Sequence, residues 1–270
     1  MVGENLRSGE VNSNAEAWNF LQREQSHEQS YDERKNLIKN DLDEKIGLVE
    51  AGFENGEAYD EMLDGVLKAM DNDRAFDGGK IKYNENGLVI DSVIDAFDPG
   101  NAGEKLICNT VVNTVFDCLG IAEDKRPLVE VMSCKDGQLK YERGKTRLKA
   151  EFFTPKKEYR DTMNGKIRLD SYNFKEDENI EDKISSVLHE CYHAYQYNVM
   201  RGTAEADEGV SEAYAYDREH FVDYKTDFMA YSKSLYEESA RYFAKRLRPI
   251  FADILVASAK IATGMERRSA

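Results

Sequence analysis

The chain has 270 residues, of which 41% are hydrophobic, so it can bury a core and is not disordered throughout. Its 37 basic and 52 acidic residues leave a formal net charge of −15. This charge disfavours nucleic acid as a partner, because binding to phosphates depends on Lys and Arg. The 4 Cys residues show no CxxC spacing, which argues against a disulfide scaffold and against an all-cysteine zinc site.

Signals for export or membrane insertion are not apparent in the sequence. Residues 1–20 contain no apolar core of the kind found in signal peptides. No window approaches the roughly 18 consecutive apolar residues that a transmembrane helix requires. We therefore expect no membrane partner and, by default, a cytoplasmic protein. The same pattern also fits secretion by a non-classical route or a place within a longer toxin.

The N-terminal part of the chain is predicted to be helical after a polar lead-in over residues 1–14. From about residue 15 to residue 73, apolar side chains recur at helical intervals in a highly charged background. Breaks near Gly52 and Gly56 divide this stretch into two or three amphipathic helices. We assign residues 1–75 to a helical N-terminal region, which can belong to the same domain as the rest.

The middle of the chain combines a helix with short strands. Alternation around Asn86-Gly87 predicts a β-hairpin over residues 80–90, and a buried helix is expected over 101–119. Turns that contain glycine separate the strands that follow. These strands are predicted at 128–132, 138–142, 147–153 and 166–172.

After Asn173 the pattern is helical, with one helix over 180–200 and a long one from about 233 to 262. Helices, a small mixed sheet and further helices follow each other along the chain, which indicates an α+β fold. We place the second unit at residues 76–262, followed by a tail at 263–270.

One motif in the predicted 180–200 helix indicates metal chemistry. His189-Glu190-Cys191-Tyr192-His193 fits HExxH. Residues four apart on a helix lie ~40° apart and one turn up, so both imidazoles can reach one Zn²⁺ at ~2.0–2.1 Å. Glu190 lies about 100° round from His189, where its carboxylate can act as general base on a metal-activated water.

The helical phase predicts where the motif faces. His189 and His193 lie nearly opposite the apolar stripe, together with Gln196, so we expect them to line an open groove instead of the core. Cys191 lies on the apolar side and is interpreted as a core residue. The stripe is formed by Ile180, Ile184, Val187, Leu188, Cys191, Ala194 and Tyr195.

A catalytic zinc site needs a third protein ligand and one open position. Glu237 is the preferred candidate, because it borders the apolar stripe of the C-terminal helix on the side of Ala240 and Ala244. These small residues allow two helices to approach closely. Glu238 points away from the stripe and is interpreted as a surface charge.

Two other residues remain as alternatives for the third ligand. Glu212 lies downstream of His193 at a spacing that thermolysin-like enzymes also use, and His220 is the remaining nearby histidine. The segment around Glu212 shows no clear apolar stripe, so helical phase does not indicate which way the side chain of Glu212 faces. No histidine follows His193 at the spacing of the metzincin motif.

The segment HECYHAYQ, with ExxAxxFA downstream, resembles a group of HExxH metallopeptidases from bacteria and their mobile elements. The resemblance covers roughly residues 145–250. It implies a zincin-like fold of the gluzincin type, with zinc on His189, His193 and Glu237 and with Glu190 as base. The family's Asp two residues after the ligand Glu is Ser239 here, so a different side chain is expected to orient a ligand histidine.

We therefore expect a zinc-dependent peptidase of the endopeptidase class. Its expected partner is a peptide or protein substrate. The alternative is a catalytically silent zincin-like module that serves in binding or structure. The presence of Glu190 favours the enzyme. The substrate and the oligomeric state stay open.

Two further features bear on catalysis. The strand at 166–172 is either an edge strand that pairs with an extended substrate or an ordinary amphipathic strand with Ile167 and Leu169 inward. A hydrogen-bond donor for the transition-state oxyanion is also needed. Tyr236, Tyr231 and Tyr214 are the candidates for this donor.

Overall fold

A computed structural model describes residues 30–72, 81–84, 87–90, 102–132, 150–154, 164–170, 180–220, 222 and 226–262. The predicted lead-in at 1–14, the strand at 138–142 and the tail at 263–270 lie outside these residues. The described part is mostly helical and contains a small mixed sheet, in agreement with the predicted α+β class.

The helices follow the predicted order along the chain. They are α1 (Tyr31–Glu54), α2 (Glu57–Asn72), α3 (Ala102–Cys118), α4 (Ile180–Met200), α5 (Val210–Glu219), α6 (Phe228–Ser232) and α7 (Leu235–Ala262). The predictions at 101–119, 180–200 and 233–262 are confirmed to within two residues at each end. No helix in the described ranges combines the length and the apolar composition needed to cross a bilayer.

The strands form a hairpin and a separate three-stranded sheet. They are β1 (Ile81–Asn84), β2 (Gly87–Ile90), β3 (Leu128–Met132), β4 (Ala150–Phe153) and β5 (Lys166–Asp170). The antiparallel pair β1–β2 confirms the predicted hairpin. The sheet has the order β3-β5-β4, with β3 parallel and β4 antiparallel to β5.

The interpretation of the strand at 166–172 as a substrate-binding edge is wrong. β5 is the central strand, and Ile167 is paired with Val129 on one side and with Phe152 on the other. Ile167 and Leu169 are fully buried, which confirms the amphipathic alternative. The strand order depends on pairing with two segments earlier in the chain, and the hydrophobic period of a strand carries no information about its neighbours.

The N-terminal helices pack on the same core as the motif helix. Ile38 and Leu42 of α1 and Met62 of α2 belong to one buried cluster with Leu188 of α4 and Phe243 of α7. Helix α7 lies along α4 and also contacts α1 and α2. The described part of the N-terminal region is therefore an integral layer around the helix that carries the HExxH motif.

A buried carboxylate ties α1 to α4 and α5. Asp41 is 1% exposed, and it accepts hydrogen bonds from Tyr195 at 2.7 Å and from Tyr214 at 3.1 Å. The Tyr214 hydroxyl also lies 2.8 Å from the hydroxyl of Tyr192. Burial raises the pKa of Asp41, while the two phenols and the nearby Lys45 oppose this change. This network fixes the core side of α4, opposite the motif histidines.

Candidate metal centre

The two motif histidines meet on one face of α4. His189 Nε2 lies 3.0 Å from His193 Nε2, and the two rings are nearly perpendicular. The helix carries Glu181 and Asp182 in its first turn, where acidic side chains interact favourably with the helix dipole. The separation of four residues thus brings two imidazole nitrogens to one point, as the motif predicts.

The first turn of α7 is held by two capping interactions. The Ser234 hydroxyl accepts a hydrogen bond from the backbone N–H of Glu237 at 3.3 Å. Asp217 of α5 accepts from the backbone N–H of Tyr236 at 2.7 Å. In a capping box, a Glu three residues after the cap bonds back to the cap's backbone N–H. The carboxylate of Glu237 is directed at the histidines of α4 instead.

Glu237 completes a group of three side chains that can hold a metal ion. Its Oε2 lies 3.4 Å from His189 Nε2, and its Oε1 lies 3.3 Å from His193 Nε2. The ligand atoms of the three residues all lie within 4.8 Å of one another. The structure thus brings together the three residues that the sequence analysis preferred as ligands.

Close packing of α4 against α7 makes this meeting geometrically feasible. Ala240 and Ala244, which follow Glu237 at one and two turns along α7, are almost completely buried. Their small side chains allow the two backbones to approach each other. Glu238 is exposed, as predicted from its phase.

Charge and burial act in opposite directions at this group. Burial alone would raise the pKa of Glu237, but hydrogen bonds from His189 and His193 and their positive charge lower it far below its usual range. Burial alone would lower the pKa of His193, but Glu237 outweighs it and raises the pKa. The two histidines therefore favour the anionic form of Glu237.

The prediction that the histidines line an open groove is wrong for His193. The side chain of His193 is 7% exposed and that of Glu237 is 6% exposed, whereas that of His189 is 19% exposed. Gln196, predicted on the same open face, is fully buried. Helix α7 covers this side of α4, so solvent reaches the group from the His189 end.

Glu190 lies beside the group without belonging to it. It is 7% exposed, and its negative charge contributes to the raised pKa of His193. It also contributes to the raised pKa of Tyr231. Within the described ranges, no side chain donates a hydrogen bond to the carboxylate of Glu190. This placement is the one expected of a general base in an HExxH helix.

Tyr231 and Tyr236 lie at the group, whereas Tyr214 does not. The Tyr231 hydroxyl, on α6, donates to Glu237, and burial together with the negative charge of Glu237 raises the pKa of Tyr231. The ring of Tyr236 stacks on His193 at a centroid distance of 4.5 Å. Tyr214 is held in the Asp41 network on the far side of α4.

The alternative ligands are not brought to the group. Glu212 is exposed on α5. His220 is also exposed, and its Nδ1 lies 2.8 Å from the carbonyl of Tyr216, on whose ring it stacks. Neither residue is within reach of the ligand atoms of His189, His193 and Glu237.

Two residues that hold the site in place, Asp217 and Gln196, were not predicted from the sequence. Asp217 caps α7 from another helix, which no local pattern signals. Gln196 lies one turn after His193, and its Oε1 is 2.7 Å from His193 Nδ1. A polar residue three positions after a ligand on the same face was the available signal for Gln196.

Comparison of the chain with family models, with curated proteins and with solved structures gave no match. Function is therefore inferred from the site itself, where Glu190 lies between two histidines on one helix and Glu237 lies on a second helix.

Proposed function

We propose that the chain is a zinc-dependent peptidase in which His189, His193 and Glu237 bind the metal and Glu190 is the general base. The observation that carries this proposal is the convergence of the three donor atoms, from two helices, next to Glu190. Two imidazoles and one carboxylate are the ligand set of one class of catalytic zinc sites, which keep a fourth position open.

The distances within the group fit a tetrahedral ion of the size of zinc. Bonds of about 2.0–2.1 Å at tetrahedral angles place the ligand atoms about 3.4 Å from one another. The observed separations are 3.0 Å between the histidine nitrogens, and 3.4 Å and 3.3 Å from these nitrogens to Glu237. The partly exposed side of His189 is where a substrate can approach.

The residues of the chain then have distinct roles in peptide hydrolysis. Zinc, when bound, supplies a Lewis acid that polarises the scissile carbonyl and acidifies water. Glu190 accepts a proton from the attacking water while the water oxygen bonds to the carbonyl carbon. Glu190 passes this proton to the amide nitrogen as the C–N bond breaks, which gives an amine and a carboxylic acid. The acid then gives its proton to the amine, so a carboxylate and an ammonium group leave.

Of the three candidate tyrosines, we propose Tyr231 as the donor for the transition-state oxyanion. Its hydroxyl already lies against Glu237, so the same proton can be donated to a substrate oxygen bound beside that residue. At saturating zinc we expect Tyr231→Phe to lower kcat by about 10²-fold, with a small effect on KM. Steady-state kinetics on a fluorogenic peptide test this expectation, with the exposed Tyr242→Phe as the control. An unchanged kcat removes Tyr231 from this role.

Metal removal tests the proposed function as a whole. We expect about one zinc per chain by metal analysis, and cleavage of an unfolded protein such as casein that stops on chelation and returns with added zinc. Full cleavage by the metal-free chain contradicts the proposal. Bound zinc without any cleavage favours the silent module, because the ligands would then serve structure or binding alone.

A further inference from the structure

A buried chain of hydrogen bonds holds the ring of His193 on the side away from the other two ligand candidates. This chain, called the relay below, consists of His193, Gln196, Ser239 and the carbonyl of Tyr236. Gln196 is fully buried, and its Oε1 lies 2.7 Å from His193 Nδ1. Its Nε2 donates to the carbonyl of Tyr236 at 3.0 Å and to the hydroxyl of Ser239 at 2.9 Å. The relay thus runs from α4, which carries His193, to the first turns of α7, which carries Glu237.

The direction of each hydrogen bond in this relay follows from the groups that take part. The carbonyl of Tyr236 can only accept, so the amide nitrogen of Gln196 must face α7. The Ser239 hydroxyl donates to the carbonyl of Leu235 at 2.7 Å, which leaves its oxygen free to accept from Gln196. The amide oxygen of Gln196 therefore faces His193 and can only accept, so Nδ1 of His193 carries the proton.

This assignment determines which nitrogen of His193 can bind a metal. With the proton on Nδ1, the lone pair of the neutral ring is on Nε2, the atom that lies 3.0 Å from His189 and 3.3 Å from Glu237. The ring is also fixed in its plane, because Tyr236 stacks on it at an interplanar angle of 12°. The relay therefore orients His193 before any metal binds.

We propose that Gln196, held in place by Ser239, is a positioning residue that fixes His193 in the Nδ1–H tautomer and thereby sets the zinc affinity of the site. The proposal rests on the metal centre of the proposed function. Loss of a partner that orients a ligand typically weakens metal binding by about 10–100-fold. Ser239 thus acts on His193 indirectly, by orienting the amide of Gln196.

Two substitutions at Gln196 separate positioning from packing. Gln196→Met keeps the length of the side chain but removes the acceptor, and we expect the zinc dissociation constant to rise at least about tenfold. Gln196→Glu keeps an acceptor for Nδ1–H and is expected to bind zinc at least about fivefold more tightly than Gln196→Met. Ser239→Ala, which removes only the far end of the relay, is expected to weaken binding by about threefold.

Competition with a chromophoric chelator measures these dissociation constants, and circular dichroism of the metal-free variants shows that they fold. Asn198→Leu is the matched control. It removes another fully buried amide of α4, one that bonds to Ala194 and Thr203 and not to a ligand, so its zinc affinity should stay within about twofold of the unsubstituted chain. Equal affinity of Gln196→Met and the unsubstituted chain overturns the proposal, as does equal weakening by Gln196→Met and Gln196→Glu.

A second measurement needs no variant. Long-range ¹H–¹⁵N NMR of the zinc-loaded chain reports which ring nitrogen of His193 carries the proton while the other binds the metal. We expect the Nδ1–H tautomer, and a predominant Nε2–H tautomer overturns the proposal. A chain with this tautomer and the expected zinc affinities, but without peptide cleavage, supports the relay and contradicts the proposed peptidase.

Discussion

Replacing Glu190 by Gln is expected to lower kcat/KM for peptide cleavage by about 10³-fold or more, at the upper part of the range for general acid–base catalysis. The substitution keeps the size of the side chain but removes the group that takes a proton from the attacking water. Glu190 lies next to the group of His189, His193 and Glu237 without being part of it. The zinc content of Glu190→Gln should therefore equal that of the unsubstituted chain.

Glu181→Gln is the matched control for this experiment. Glu181 is in the first turn of the same helix, about two turns before the motif, and its Oε2 lies 3.5 Å from Arg248 Nε. A surface pair of this kind contributes little to stability, so kinetics and zinc content should not change measurably. If Glu190→Gln cleaves as well as the unsubstituted chain, Glu190 is not the base. If it loses its zinc, Glu190 supports the metal centre and the assignment of roles is wrong.

Replacing Glu237 by Gln is expected to weaken zinc binding by more than about 100-fold, beyond the range for loss of an orienting partner. The carboxylate is the anionic member of the group, and its Oε1 and Oε2 lie 3.3 Å and 3.4 Å from the two histidine nitrogens. The neutral amide is a poorer donor to zinc, and its NH₂ group cannot coordinate. Isothermal titration with zinc, or competition with a chelator, measures this effect.

The neighbouring Glu238 provides the control for Glu237. It is exposed and lies about 100° round α7 from Glu237, so Glu238→Gln changes the same charge in the same helical turn without touching the group. Its zinc affinity should stay within about twofold of that of the unsubstituted chain. Near-normal zinc binding by a folded Glu237→Gln variant would show that the third ligand is a different residue.

Local periodicity was sufficient to predict the elements of the fold that carry the site. The helix at 180–200 and the long C-terminal helix, predicted at 233–262, are both found where the apolar spacing places them. Helical phase also distinguished Glu237 from Glu238, because adjacent residues on a helix point about 100° apart. These predictions depend only on interactions within a few residues, which a single segment of sequence contains.

The relations between distant segments were not available from the same patterns. The central place of β5, the cover that α7 forms over His193, and the tie from Asp41 to Tyr195 each join parts of the chain that are far apart in sequence. Periodicity indicates that a face is apolar or polar, but it does not indicate which element covers it.

The HExxH spacing and the preference for Glu237 over Glu238 thus follow from residue types and helix geometry, whereas only the tertiary structure separates Glu237 from Glu212 and His220. The burial of His193 and the orienting role of Gln196 follow from the packing of α4 against α7. A polar face can be buried there because its groups are paired with one another: His193 with Gln196, and Gln196 with Ser239 and the carbonyl of Tyr236. That pairing exists only when two helices from different parts of the chain lie side by side.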